Sequence, residues 1–268
     1  MLTSMLGGFT GFQSNAAGDF GERMINSVVT QSLRHLFSRS DSMDVAVRCS
    51  PPSKLLQGVV DSFRMEGRGL VIRKEFEAAE MMFETDAVSI DVGSAIGGKI
   101  KLRQPTQAIA QVVLTEEAIN QAFKAQLVRQ HLENVDDEAI TNLSGGDPVT
   151  FRDIAIHLLP DQSVKISAKT DLPNRDDVPI QLSAHISVEK RRRIIFADPE
   201  FVPDGIPDSV RGLASTLTMA FAAVLNRMVD LERFNLDGVL LRVNRLETKG
   251  NRLVFSGYAQ IEHFPGVG

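Results

Sequence analysis

The chain contains a single cysteine, Cys49, so it makes no internal disulfide. Stability must come from packing, and a reducing compartment is the expectation. Positive charge is not in excess: 29 Lys and Arg stand against 34 Asp and Glu, a net charge of −5. A general nucleic-acid binder carries the opposite balance, so nucleic acid is not an expected partner. No apolar run reaches the roughly 18–20 residues that span a bilayer. The longest strongly apolar uncharged stretch, "GLASTLTMAFAAVLN", is too short and is bracketed by Arg211 and Arg227. The N-terminal "MLTSMLGGFTGFQSNAAGDFGER" lacks a basic n-region, and Gly7, Gly8 and Gly11 interrupt its apolar residues. No export signal is expected from it.

Catalytic signatures are also missing. There is no G-x-S-x-G elbow, Walker A loop, H-E-x-x-H or EF-hand loop. His35, His131, His157, His185 and His263 show no ligand spacing, so no metal and no cofactor are expected. The acidic pairs Asp136-Asp137 and Asp176-Asp177 lie in polar stretches where solvation accounts for them. An enzyme would need a site assembled from scattered residues.

What is present is a soluble composition, 43% hydrophobic and 24% charged over 268 residues. Residues 1–18 read as a flexible segment, and 19–268 as a single α+β domain. A helix is expected from Asp19 to Ser38, with Met24, Ile25, Val28, Leu33, Leu36 and Phe37 on one stripe. In "DVAVRC", Cys49 shares a face with Val45 and Val47 and reads as a buried thiol. Pro51 and Pro52 open a short helical turn, where their missing N–H groups cost little. A string of strands follows over 59–114. In it the apolar period shifts by one residue across Gly67-Arg68-Gly69, from Val59, Phe63 and Met65 to Leu70 and Ile72. Such a slip implies a bulge or bend that curves a sheet.

Thr115 caps a second helix with the stripe Ile119, Phe123 and Leu127, and a polar loop ends it. "QSVKISAKT" and "IQLSAHISVEK" alternate cleanly, which predicts antiparallel sheet with one buried face. "LPNRDDVP" reads as the loop between them and "FADPEFVPDGIPD" as a proline-punctuated link. A third helix, from Ser209 to Arg233, is apolar almost all round, so burial or a cavity should surround it. A final hairpin turns at Lys249-Gly250-Asn251. The segments 56–72 and 236–257 echo one another weakly, each a Leu-x-Gly-Val start before strand, turn and strand.

The strongest charge feature is Lys190-Arg191-Arg192-Arg193, with Lys99, Lys101 and Arg103 as a lesser basic face. Two readings of it stand: a solvated strand end that blocks edge aggregation, or a contact for anionic headgroups or phosphate. The many one-faced strands and the apolar helix likewise suit either a solid core or a lipid-sized cavity.

The element order resembles the LmeA-like phospholipid-binding family, most closely its cyanobacterial branch. The residues that carry the likeness are "SKLLQGVVDSFRMEGRGLVIRKEF", "PTQAIAQVVLTEEAINQAFKAQLV", "VEKRRRIIF" and "LDGVLLRVNRLETKGNRLVFSGYAQIEHF". The resemblance implies a tubular lipid-binding, BPI-like fold: a strongly curved antiparallel sheet wrapped around long helices, with an apolar groove for acyl chains. It implies a non-enzymatic protein that binds, transfers or senses phospholipid. Without an export signal or membrane anchor, the expected place is the cytoplasm, with peripheral contact to a membrane surface. Leu213, Leu217 and Phe221, with Met24 and Val28 opposite, are the expected acyl contacts. Arg191, Arg192 and Arg193 are the expected headgroup contacts. The competing readings are a scaffold for a membrane complex, using its basic face and N-terminus, and an enzyme of envelope lipid metabolism. No protein partner is indicated.

Overall fold

A computed structural model describes residues 37–51, 53–72, 74–96, 101–136, 144–228 and 238–263, with Ser27, Thr30, Gln31, Arg34 and Ile140 as isolated positions. Segment 1–18 and the expected contacts Met24 and Val28 lie outside the described residues.

The described elements are, in chain order, β1 (Phe37–Arg39), β2 (Ser42–Arg48), α1 (Ser53–Leu56), β3 (Val59–Val60), β4 (Ser62–Ile72), β5 (Phe76–Thr85), β6 (Val88–Ser89), α2 (Val92–Ile96) and β7 (Thr106–Thr115). Then come α3 (Glu116–Ala122), α4 (Gln126–Arg129), β8 (Thr150–Leu158), β9 (Ser163–Leu172), β10 (Arg175–Glu189), β11 (Arg193–Phe201), α5 (Arg211–Met228), β12 (Val239–Lys249) and β13 (Arg252–Ile261). This is an α+β chain dominated by antiparallel sheet. Among the described residues only α5, at 18 residues, is long; the other helices have four to seven. The expectation of several long helices inside the sheet is corrected to that extent. Ser27, Thr30, Gln31 and Arg34 are helical, but Phe37 and Ser38 already pair as strand, so the first helix stops short of Ser38.

One sheet has seven strands, in the order β1-β4-β5-β7-β13-β12, with β2 also on β4. Its core includes Phe63, Met65, Leu70, Met81 and Ala259. Buried residues occupy odd positions of β4 up to Gly69, and Leu70 is then buried as well. The expected change of phase therefore falls at Gly69, whose φ is +56°. A Cβ there would stand 2.1 Å from Asp41 Oδ2, so glycine alone fits this bend. Cys49 is 3% exposed and donates its thiol to the Val59 carbonyl at 3.3 Å.

The second sheet has four strands, in the order β11-β10-β9-β8. Ile180, Leu182, Ala184 and Ile186 of β10 are all buried, as their alternation predicts, and Ala168, Ile166 and Val164 of β9 lie directly across from three of them. Two segments read as connections are strand instead. The loop over 172–179 shrinks to a tight turn, because β10 begins at Arg175. The link after Phe196 is still β11 as far as Phe201, through Pro199. Both prolines sit where no ladder donor is needed: β11 is an edge strand, and Pro179 precedes Leu182, where β11 first pairs with β10. In 56–72 the two strands do not pair with each other (β3 bonds β6), whereas 236–257 holds a hairpin, so the two segments have different topologies.

The helix α5 packs on β10 and β11, with Leu217, Phe221 and Leu225 buried. It is not buried all round: Gly212, Thr216, Met219, Ala223 and Arg227 form an exposed stripe. Ala214, Thr218 and Ala222 are buried with the large residues, so the inward face mixes small and large side chains.

On each edge of the four-stranded sheet one residue is paired by an asparagine side chain acting as a substitute peptide. On β8, Asn120 of α3 accepts from Ile156 N–H (2.7 Å) and donates to the Ile156 carbonyl (3.0 Å). On β11, Asn226 of α5 does the same for Phe196, at 2.7 and 3.2 Å. Unpaired strand edges invite foreign strands, and unpaired partly buried peptide groups cost stability. Asn226→Ala should therefore lower unfolding free energy by about 2–3 kcal/mol, measured by urea denaturation; a change within error would show that water replaces the side chain freely.

Across the sheet face, Arg152 of β8 bonds Asp171 of β9 (Nη2 to Oδ1, 3.1 Å) and Asp177 of β10 (2.8 Å). The Arg152 hydrogen bond holds the Asp171 carboxyl below its ordinary pKa. Lys169, then Arg152, does so for Asp177. A carboxylate depressed in the folded state contributes stability above its unfolded pKa of about 3.9, and that stability is lost as pH falls through the lower folded value. Acid titration of Asp171→Asn should show a shallower loss of stability below about pH 4 than the parent chain.

Candidate functional site: an apolar cavity between helix and sheet

The turn from β7 into α3 sets the geometry. Thr115 accepts the Ala118 N–H at 3.1 Å, and Glu116 and Glu117 stand at the positive end of the helix. The Glu116 backbone N–H reaches Asn251 at 2.8 Å, and its carboxylate accepts the Leu158 N–H at 2.8 Å. One end of α3 is thus tied to the seven-stranded sheet, while Glu116 and Asn120 tie it to the edge of the four-stranded one. The second helix, expected to run from its Thr115 cap to the polar loop that starts at Glu133, is broken in the middle. Lys124 and Ala125 make tighter i−3 bonds to Gln121 and Ala122, and α4 restarts the helix after Ala125.

Beneath α3 and α4 lies a cavity of about 460 Å³. That volume falls within the range of roughly 300–1,000 Å³ found for ligand sites. The expected stripe Ile119, Phe123 and Leu127 forms its roof. Val112, Leu114 and Phe255 lie on its sheet side. Met81 comes from β5, and Leu225 and Met228 close the α5 end. Polar groups are few: Glu77, Gln130, His131, Arg242, Ser256 and Tyr258. The His131 Nδ1 sits 2.9 Å from the Leu127 carbonyl. Among the described residues no cluster of three or more His, Cys, Asp or Glu suits a metal ion. The carboxylates with depressed pKa, Asp61, Asp91, Asp171 and Asp177, pair with cations or with nearby hydroxyl and backbone N–H groups; none lines the cavity.

The basic run turns out to be the tip of the β10–β11 hairpin. Arg192 N–H donates to the Glu189 carbonyl (3.1 Å), and Lys190 and Arg191 take left-handed φ of 49° and 60°. That turn matches the twist of a hairpin but is normally built from Asn and Gly. It is held here by the Val243 N–H, which donates to the Arg191 carbonyl at 2.8 Å and docks the tip on β12 of the other sheet.

The three arginines then part company. Arg193 pairs with Glu189 (3.0 Å) and donates to the Asn226 carbonyl near the end of α5 (2.8 Å). Arg192 is half-buried. Arg191 is exposed and lies 5.8 Å over the ring of Tyr258, a cavity-lining residue that is itself 44% exposed. Of the expected acyl contacts, Leu213 is half-buried, and Leu217 and Phe221 are core residues, Phe221 with its ring 4.8 Å from that of Phe151. None of the three lines this cavity. The lining residues overlooked in the sequence are one and two turns further along the same stripe, Leu225 and Met228, and the α3 stripe itself.

The family model for LmeA-like phospholipid-binding proteins matches residues 16–257, nearly the whole chain. The chain belongs to this family. No curated protein matches it, and no solved structure does.

In this family member the β12–β13 side of the cavity depends on Gly257, where a Cβ would stand 1.9 Å from the Arg242 carbonyl oxygen. The β12 register shifts between Val243 and Arg245 at the same place. Gly257→Ala should force the strands apart and cost about 1–3 kcal/mol, seen as a lower midpoint in thermal denaturation; an unchanged midpoint would mean the hairpin yields without strain.

Proposed function

We propose that this protein binds a phospholipid or other amphipathic lipid at a membrane surface, for transfer or sensing and without catalysis. The acyl part occupies the cavity under α3 and α4, and an anionic headgroup meets Arg191. The observation that carries this reading is an apolar space of about 460 Å³ beside an exposed cation that makes no ion pair among the described residues. Stacking on Tyr258 uses the face of the guanidinium and leaves its edge N–H donors open to an oxyanion. Family membership supports the lipid class. A tubular, BPI-like curvature of the seven-stranded sheet around the lipid fits the bend at Gly69 and belongs to this proposal. Among the described residues no helix is long and apolar enough to cross a membrane, which suits peripheral contact.

Native mass spectrometry of the purified chain should show co-purified lipid, and the protein should sediment with phosphatidylglycerol vesicles more than with phosphatidylcholine vesicles. A basic residue near an anionic surface contributes about 1 kcal/mol, so Arg191→Ala should weaken vesicle binding roughly fivefold. Lipid-free protein that ignores both vesicle types would overturn the reading.

A further inference from the structure

We infer that the face of β7 and β13 that carries Ile109 and Tyr258 is the surface by which this protein docks on an anionic bilayer. This rests on the lipid-binding reading above and adds the orientation. Ile109 and Tyr258 stand directly opposite each other on neighbouring antiparallel strands, so their side chains share one side of the sheet. Ile109 is 57% exposed and Tyr258 44%. Both strands are interior to the seven-stranded sheet, so their backbone groups are already paired and no foreign strand can add there. What this face offers a partner is its side chains. Across four strands the row runs Glu84, Ile109, Tyr258, Arg242. The acid at one end is paired with Arg64 at 3.6 Å. At the other end Arg242 is joined by Arg191, whose guanidinium lies over the Tyr258 ring. The positions two residues away on the same side, Gln107 and Gln111 on β7 and Ser256 and Gln260 on β13, carry no charge. The face is therefore apolar at its centre and cationic at one end, on a chain whose net charge is −5. Such a chain is drawn to an anionic surface through a face of this kind and repelled elsewhere. A phenol ring, apolar with a polar tip, suits the boundary between headgroups and acyl chains. Tyr258 and Arg242 also border the cavity, so a bilayer at this face lies beside the space proposed for the acyl part.

The chain has one tyrosine and no tryptophan, so its tyrosine emission reports on Tyr258 alone. Phosphatidylglycerol vesicles with brominated acyl chains should quench that emission relative to the same vesicles without bromine. Brominated phosphatidylcholine vesicles should quench it less, because the cations gain nothing there. Ile109→Glu should weaken sedimentation with phosphatidylglycerol vesicles roughly tenfold, while lipid still co-purifies with the chain. Ile109→Gln, which repeats the residue at 107 and 111, serves in its place if the first variant does not fold, with a loss of about threefold. Sedimentation of the variant equal to that of the parent, or unquenched Tyr258 in a chain that does sediment, would overturn the docking face and leave lipid binding intact. A chain that carries no lipid and sediments with neither vesicle would remove both.

Discussion

Two asparagine side chains hold this architecture together. Asn120 and Asn226 each complete the hydrogen bonding of one residue on an open edge of the four-stranded sheet, and each belongs to a helix that bounds the cavity. Asn120 fixes the roof helix, one residue from Ile119. Asn226 lies between Leu225 and Met228, which close the α5 end. A side-chain amide sets an N–H donor beside a carbonyl acceptor, the pairing a neighbouring strand would offer. One residue on each edge is therefore satisfied without a further strand, and α3 and α5 are each fixed to an edge of the four-stranded sheet. The space left between them is the cavity.

The basic hairpin tip follows from the same arrangement. Arg193 spends its charge on Glu189 and its donors on the carbonyl of Asn226, so it stabilises the α5 terminus and β11 together. Its neighbour two residues earlier is left over. Arg191 sits in a left-handed turn that docks on β12, and its guanidinium lies over the ring of Tyr258. A run of like charges thus divides into a structural member and a solvent-facing one. The division depends on which strand each carbonyl and guanidinium meets.

Several elements were legible because their signal is local. Alternation in β9 and β10 has period two, so the faces of those strands could be assigned from residue types alone. The Thr115 cap and the phase change at Gly69 are likewise written in a few adjacent residues. In places a local preference lost to tertiary contacts. "FEAAEMMFET" is rich in Glu, Ala and Met, which favour helix, yet it is β5 within the expected run of strands, flanked by β4 and β7. Pro199 suggested a link, but at an edge strand its missing N–H costs nothing. Leu217 and Phe221 lie in the packed core and do not line the cavity under α3 and α4.

By itself the sequence determined the antiparallel strands, the buried thiol, the apolar face of each helix and the family to which the chain belongs. Each of these depends on neighbours within a few residues or on the whole string of residue types. Only the tertiary structure decided which apolar faces meet and which stay apart. A stripe of leucines looks the same whether it packs against a phenylalanine or against empty space. The difference is where Asn120 and Asn226 fix α3 and α5 on the four-stranded sheet, set by residues distant in the chain and invisible to any local pattern.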